Sequence, residues 1–273
     1  MNLNRALHIT ARSDAGMVRP HNEDALFVDA GHGLVLLADG MGGYSAGEVA
    51  AGMAVAMIGS GMQEKLEKDH PHRVVRGCLR LVHTLFEAGV EQANRAIFEA
   101  AQSQPQYSGM GTTLVGALFC DNTVTVVHVG DSRLYRLRGT MFAALTRDHS
   151  LLQEQIDTGL ITAEAAKHSV HKNLVTRALG VELSVNPEMR DFPTQQGDVY
   201  LLCSDGLNDM VSDEEIGKTL LAHAGDIELA ALDLIEKANA AGGRDNVSVI
   251  LVRVEQEFPA PRSWLKRLRD WWT

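Results

Sequence analysis

Four aspartates stand at the ends of apolar runs. LVLLADG (34–40) runs into Asp39, TVTVVHVGD (123–131) into Asp131, and VYLLCSDG (199–206) into Asp205. In GGRDNVSVILVRV (242–254) the order is reversed and Asp245 precedes the apolar stretch. One aspartate at a strand end is ordinary turn chemistry, since its side chain can bond the backbone two residues on. Four such endings, three of them beside glycine, suggest a common destination. If these strands lie side by side, the carboxylates meet at one rim of a sheet sandwich. Carboxylates gathered without cations repel one another, so convergence implies bound metal.

The ligand type narrows the metal. Oxygen donors suit Mg, Mn or Ca, whereas the paired Cys and His spacings of zinc sites are missing. Cys78, Cys120 and Cys203 are scattered singly and read as buried reduced thiols. His70 and His72 lie in a polar connection, and His168 and His171 read as solvated surface. The loops at Gly40–Gly43 and Gly109–Thr113 are glycine-rich, but no Gly-Lys-Ser/Thr follows either one, which argues against a nucleotide loop. EF-hand spacing is absent as well.

Strands must carry these aspartates to their rim. Runs at 7–12, 25–29, 34–38, 111–119, 123–129, 134–137, 141–145 and 199–203, with a last one after Asp245, have strand character. Asp121-Asn122 marks a hairpin turn. Apolar residues at helical spacing predict helices over 48–61, 73–101, 213–221 and 227–241, and 148–177 reads as mostly helical and polar. Strands in hairpins with helices in separate blocks predict an α+β fold, two antiparallel sheets with helices packed outside.

Composition sets the outer bounds. The chain has 273 residues, and 45% hydrophobic content is ample for a core. A formal charge of -10 argues against nucleic acid as a main partner. The opening MNLNRALHITARSD lacks the apolar core of a signal peptide, and 51–62 is too short and glycine-rich to span a membrane, so a cytoplasmic protein is expected.

Six segments, in order, carry a family resemblance: SDAGMVRPHNEDAL, LADGMGG, GMGTTLV, HVGDSRLYRL, LLCSDGL and GGRDNVSVILV. Together they resemble the bacterial branch of the metal-dependent Ser/Thr protein phosphatases, the PPM or type 2C family, across nearly the whole chain. The resemblance implies a four-layer α-β-β-α sandwich over residues 1–257 with a binuclear Mn2+ or Mg2+ centre in a cleft at one end. It makes Asp39 the carboxylate bridging both ions. Asp205 and Asp245 join Asp39 on the first ion, and the Gly40 carbonyl joins it on the second. Glu23 holds a metal-bound water, and Asp131 with Asp205 takes a third, weaker ion. Arg19 grips the substrate phosphate, a task suited to a forked guanidinium. Residues 146–180 fall where relatives carry a flap beside the active site.

The resemblance further implies phosphorylated proteins as substrates, a Hanks-type Ser/Thr kinase as the opposing enzyme, and a monomer. Two readings remain beside it: a catalytically silent binding module on the same fold, and a phosphatase of an anti-sigma antagonist. Met41 and Tyr44 depart from the pattern, at positions where relatives carry histidine, and leave the proton donor open between metal-bound water and His21. The ending FPAPRSWLKRLRDWWT (258–273) is a separate basic, Trp-bearing tail. Its apolar helical face suits docking on a protein or an anionic membrane surface, or folding back on the domain.

Overall fold

The computed structural model describes residues 3–43, 46–71, 74–75, 79–162, 165 and 174–259. The chain opens with β1 (Leu7–Asp14), β2 (Asp24–Asp29) and β3 (Leu34–Met41), followed by α1 (Ala46–Leu66). Two short strands, β4 (Val74–Val75) and β5 (Leu79–Arg80), lead into α2 (Leu81–Ser103). Next come β6 (Gly111–Thr112), β7 (Leu114–Cys120), β8 (Thr123–Val129), β9 (Arg133–Arg138) and β10 (Met141–Ala144). After α3 (Leu151–Asp157), the chain returns through β11 (Glu188–Pro193) and β12 (Val199–Cys203). It finishes with α4 (Asp205–Asn208), α5 (Asp213–Ala222), α6 (Ile227–Ala240) and β13 (Val247–Val254).

Two antiparallel sheets result. One has the order β1-β13-β12-β9-β10 and the other β11-β8-β7-β3-β2, with β6 pairing β3. The period-2 alternation of their strands builds the layers. Leu34, Leu36 and Ala38 of β3 pack against α1 and α2, while Val35 and Leu37 point between the sheets. Leu201 and Cys203 of β12 pack against α5 and α6, while Tyr200 and Leu202 point inward. Three apolar clusters, two under helices and one between sheets, make the expected four-layer α-β-β-α sandwich.

Helix α1 lies close on its sheet because its inner face is small. Ala46, Gly47, Ala50, Ala51 and Ala54 are buried along it, and a Cβ on Gly59 would press into the Phe27 ring. Asp121 and Asn122 both take positive φ, as the tight β7–β8 hairpin requires.

Three expectations need correction. Residues 73–101 are not one helix, because 74–75 and 79–80 pair as strands before α2 starts at Leu81. Among the described residues of 148–177, helix is limited to α3 and the isolated helical position 165. Gly159, at φ 74°, turns the chain just beyond α3, and Ser150 and Val175 form an isolated β-bridge. Finally, β11 was not anticipated. It is a half-exposed edge strand ending in Pro193, and its pairing with β8 supplies the order that its own pattern lacks. Tyr44, His72, Cys78, His168 and His171 lie outside the described residues, as does the tail from 260 onward. No helix among the described residues is long and apolar enough to cross a membrane.

The sandwich places the active rim by connection. Residues 15–23 join β1 to β2 at one pair of sheet edges, and the stretch between β10 and β11 joins the other pair. Between them, β12 hands over to α4 at Asp205 with no slack, because a Cβ on Gly206 would collide with the Asn246 carbonyl oxygen. Gly206→Ala should therefore destabilise the protein by about 1–3 kcal/mol, the usual cost of overpacking. Urea unfolding checks this, and an unchanged midpoint would show that the contact yields freely.

Candidate metal centre

The rim is built from paired carboxylates. Asp24 of β2 lies directly across from Asp39 of β3 in the antiparallel register. Val35 and Leu37 face between the sheets, so by alternation Asp39 does too, at the end of the inter-sheet core. Like charges directly opposite one another destabilise a strand pair. Sequence reading passed over Asp24, although it stands next to Glu23 in the NED segment. Its Oδ2 accepts a 2.8 Å hydrogen bond from Ser204 Oγ, while its Oδ1 is buried without a partner.

The backbone of Asp39 is fixed by the GTT segment. Its N–H donates to Thr113 Oγ1 at 3.1 Å, and its carbonyl accepts from Thr113 N and Thr112 Oγ1, both at 2.9 Å. Thr113 Oγ1 also bonds Ser132 Oγ at 2.7 Å, next to Asp131. Gly40 follows where the chain passes the start of α1 and Glu23. A side chain there would collide with the Gly47 carbonyl.

Asp245 is reached from the other sheet. Asn246, just after it, accepts from Glu23 N at 2.8 Å and donates to the carbonyls of Ala15 and His21 at 3.0 and 2.9 Å. This one amide ties the 15–23 loop to the start of β13, a role its place in GGRDN did not disclose. Arg19 Nη2 lies 2.6 Å from Asp245 Oδ2, so in this structure the expected phosphate-gripping residue holds an expected metal ligand. His21 is exposed on the same loop.

The electrostatics show that the carboxylates converge. Burial raises the Asp39 pKa well above the carboxylate range, and Asp24, Asp205, Asp131 and Asp245 push it further. Asp205 is raised likewise by burial and then by Asp131, Asp209, Asp245 and Asp24. Asp24 and Asp131 are each pushed up to about 6, chiefly by burial. Glu23 is raised by burial against the opposing pull of Arg19. The hydrogen bond from Arg19 to Asp245 raises the guanidinium pKa in turn.

Such a set fits a divalent cation. The donors are all oxygen, the charge is only partly offset by Arg19 and Arg133, and one buried oxygen is orphaned, which together suit Mg or Mn. Among the described residues, the three ligand-type side chains whose donor atoms all lie within 4.8 Å of one another are His128, His149 and Glu188, a closer grouping than the rim aspartates make. Its chemistry differs. Gly130 N–H donates to His149 Nδ1 at 3.2 Å, while Nε2 lies 3.5 Å from Arg177 Nη1 and 3.8 Å from Glu188 Oε2. The His128 ring stacks on His149 at 4.6 Å and bonds the Arg147 carbonyl, tying β8 to the segment that leads into α3.

The raised carboxylates fix the sign of a pH effect. Unfolded, Asp24 and Asp131 would lose their protons near 3.9; folded, they keep them to about 6. The stability they contribute is thus complete below about pH 4 and is lost as pH rises through 6. Melting of chelator-treated protein should show this fall, and Asp24→Asn should flatten it. Equal slopes for wild type and variant would contradict the assignment.

Known proteins resemble this chain in sequence and fold. The Protein phosphatase 2C family model matches residues 18–231. The chain is 41% identical over 249 residues to the serine/threonine protein phosphatase PstP of Mycobacterium tuberculosis, covering 91% of this chain and 45% of that protein. It thus spans under half the length of that relative. With the serine/threonine phosphatase stp of Listeria innocua it shares 38% identity, over 90% of this chain and 95% of the relative. The catalytic domain of PstP in complex with two manganese ions superposes with a TM-score of 0.79 at 38% identity, over 92% of this chain and 99% of that one. On these likenesses and the motifs that carry them, the chain belongs to the protein phosphatase 2C, or PPM, family.

Proposed function

We propose that this chain is a Mn2+- or Mg2+-dependent protein phosphatase that hydrolyses phosphoserine and phosphothreonine. The observation that carries the reading is the cross-strand pair Asp24 and Asp39, joined by Asp131, Asp205 and Asp245 around one half-buried rim. Asp39, Asp205 and Asp245 would hold one ion, and Asp39 with the Gly40 carbonyl a second. Asp131 with Asp205 would hold a third. When bound, such cations acidify water and offset the phosphate's charge.

The chain's own groups supply position. Arg19 is kept at the cleft by Asp245, and its guanidinium keeps a planar fork that can bond two phosphate oxygens. Asp245 would loosen its hold on Arg19 where it also held a metal, which would leave the guanidinium available to the phosphate. Glu23, carried on the loop that Asn246 anchors, orients water. Its raised pKa makes it a better proton acceptor than an ordinary surface carboxylate. No nucleophilic side chain is needed.

The segment between β10 and β11 is read as a flap facing the substrate. Its described part is rooted at the site, where Arg133 grips Asp148 through Nε and Nη2 at 2.7–3.1 Å and Thr112 bridges Leu179. A groove of about 460 Å³ opens there between Met41 and residues 175–186. A protein kinase of the Hanks type, which makes the bonds this activity breaks, is the proposed opponent, and a monomer in the cytoplasm the proposed state.

Phosphate release from a phosphothreonine peptide tests the reading. Turnover should require Mn or Mg and vanish with chelator. Asp205→Asn should lower it by at least about 100-fold, because even the residues that merely support metal ligands typically cost 10–100-fold. A folded, metal-loaded protein without turnover would point to a binding module instead.

A further inference from the structure

The cleft binds phosphate through charge, which leaves open what distinguishes one phosphoprotein from another. Met17 and Val18, immediately before Arg19, are 70% and 65% exposed. Single exposed apolar residues are common and need no account. These two are adjacent, and the loop that bears them is pinned. Met17 N donates to the Gly243 carbonyl at 2.8 Å, and Gly16 N to Asp14 Oδ1 at 2.9 Å. Asn246 holds the Ala15 and His21 carbonyls on either side. Gly16 sits so close to the Asp245 carbonyl that a Cβ would collide with it, and its φ of 75° favours glycine.

A rigid loop that spends two large apolar side chains on solvent contributes nothing to the core there. What it does is hold them one and two residues from the guanidinium at the cleft. On the groove near Met41, Val181 is 52% exposed, and Leu183, whose carbonyl accepts from Asn94 of α2, is 71% exposed. A phosphopeptide whose phosphate lies at the metal rim places its neighbouring residues about 3.3–3.6 Å further along the chain per residue. Met17 and Val18 stand within that reach of Arg19 in sequence, at two and one residues before it.

We propose that Met17 and Val18 form an apolar platform for a side chain flanking the phosphorylated residue, so that the enzyme favours substrates with a large aliphatic group within two positions of it. This rests on the phosphatase reading above. Met17 and Val18 offer neither an acidic nor a basic neighbour a charged partner. The favoured class is therefore phosphothreonine or phosphoserine in an apolar local context.

The test uses the Mn-loaded protein, a set of phosphothreonine peptides with Leu or Ser at each of the four nearest positions, and para-nitrophenyl phosphate as a substrate without neighbours. Wild type should prefer Leu at one or more positions by about fivefold in kcat/KM, the scale of one partly covered aliphatic side chain. Met17→Ser/Val18→Ser should remove that preference through KM, leaving para-nitrophenyl phosphate turnover unchanged, and Met17→Leu should retain it. Both residues are exposed, so the variant should fold, and its melting temperature verifies that. Equal rates for Leu and Ser peptides in wild type would overturn the platform. So would a variant that loses Leu peptide, Ser peptide and para-nitrophenyl phosphate alike, since that pattern means a disturbed Arg19. Failure of wild type on every substrate would instead remove the phosphatase reading, and the platform with it.

Discussion

Everything at the rim answers to one constraint, the convergence of five aspartates where, among the described residues, Arg19 alone makes a direct ion pair with them. Arg19 pairs with Asp245, while Asp39 and Asp205 are raised by burial and then by their aspartate neighbours, and Asp24 and Asp131 are raised chiefly by burial. A protein could avoid this by exposing the groups or surrounding them with lysine and arginine. This one surrounds them with serine, threonine and glycine. Such neighbours orient carboxylates by hydrogen bonds without neutralising them, which leaves the charge for metal ions.

The fold serves that arrangement through its rigidity. Asp24 and Asp39 are placed by strand register, so a slip of one residue would turn Asp39 away from the inter-sheet space. Asp205 and Asp245 come from β12 and the entry to β13, neighbours in the other sheet, and Ser204 reaches across to Asp24 at 2.8 Å. A chain of short bonds, Ser13 to Ser248 at 2.7 Å and Ser248 N to Ser204 at 3.0 Å, continues this contact. The two sheets are thus linked by polar contacts at the rim and apolar ones below it. Close backbone approach at Gly40 and Gly206 leaves little freedom for the carboxylates to drift apart.

Much of this was legible in the residues. Alternation and apolar runs located the central strands, because burial on one or both faces writes itself into the pattern. The aspartates at the ends of those runs pointed to a shared rim before any register was known. What stayed hidden had a common cause: it depends on partners distant in sequence. Asp24 reads as the end of an acidic pair in a loop until β3 is laid beside it. Asn246 reads as a turn residue until the 15–23 loop arrives. The edge strand β11 is ordered by β8 rather than by its own composition, and α2 begins late because 74–75 and 79–80 find each other first. Arg19 shows the same limit, since its position follows from the motif whereas its ion pair with Asp245 does not.

The rim is strained by its own charge, and bound metal would relieve that strain. The most direct measurement compares the melting temperature of wild type and Asp39→Asn near pH 8, with chelator and with saturating Mn. In chelator the variant should be the more stable protein, by about 2–4 °C for each kcal/mol of repulsion removed. Mn should then raise wild type well above its metal-free value and leave the variant nearly unmoved. A variant less stable than wild type in chelator, with both proteins shifted equally by Mn, would mean that Asp39 is an ordinary structural carboxylate and that the metal acts elsewhere.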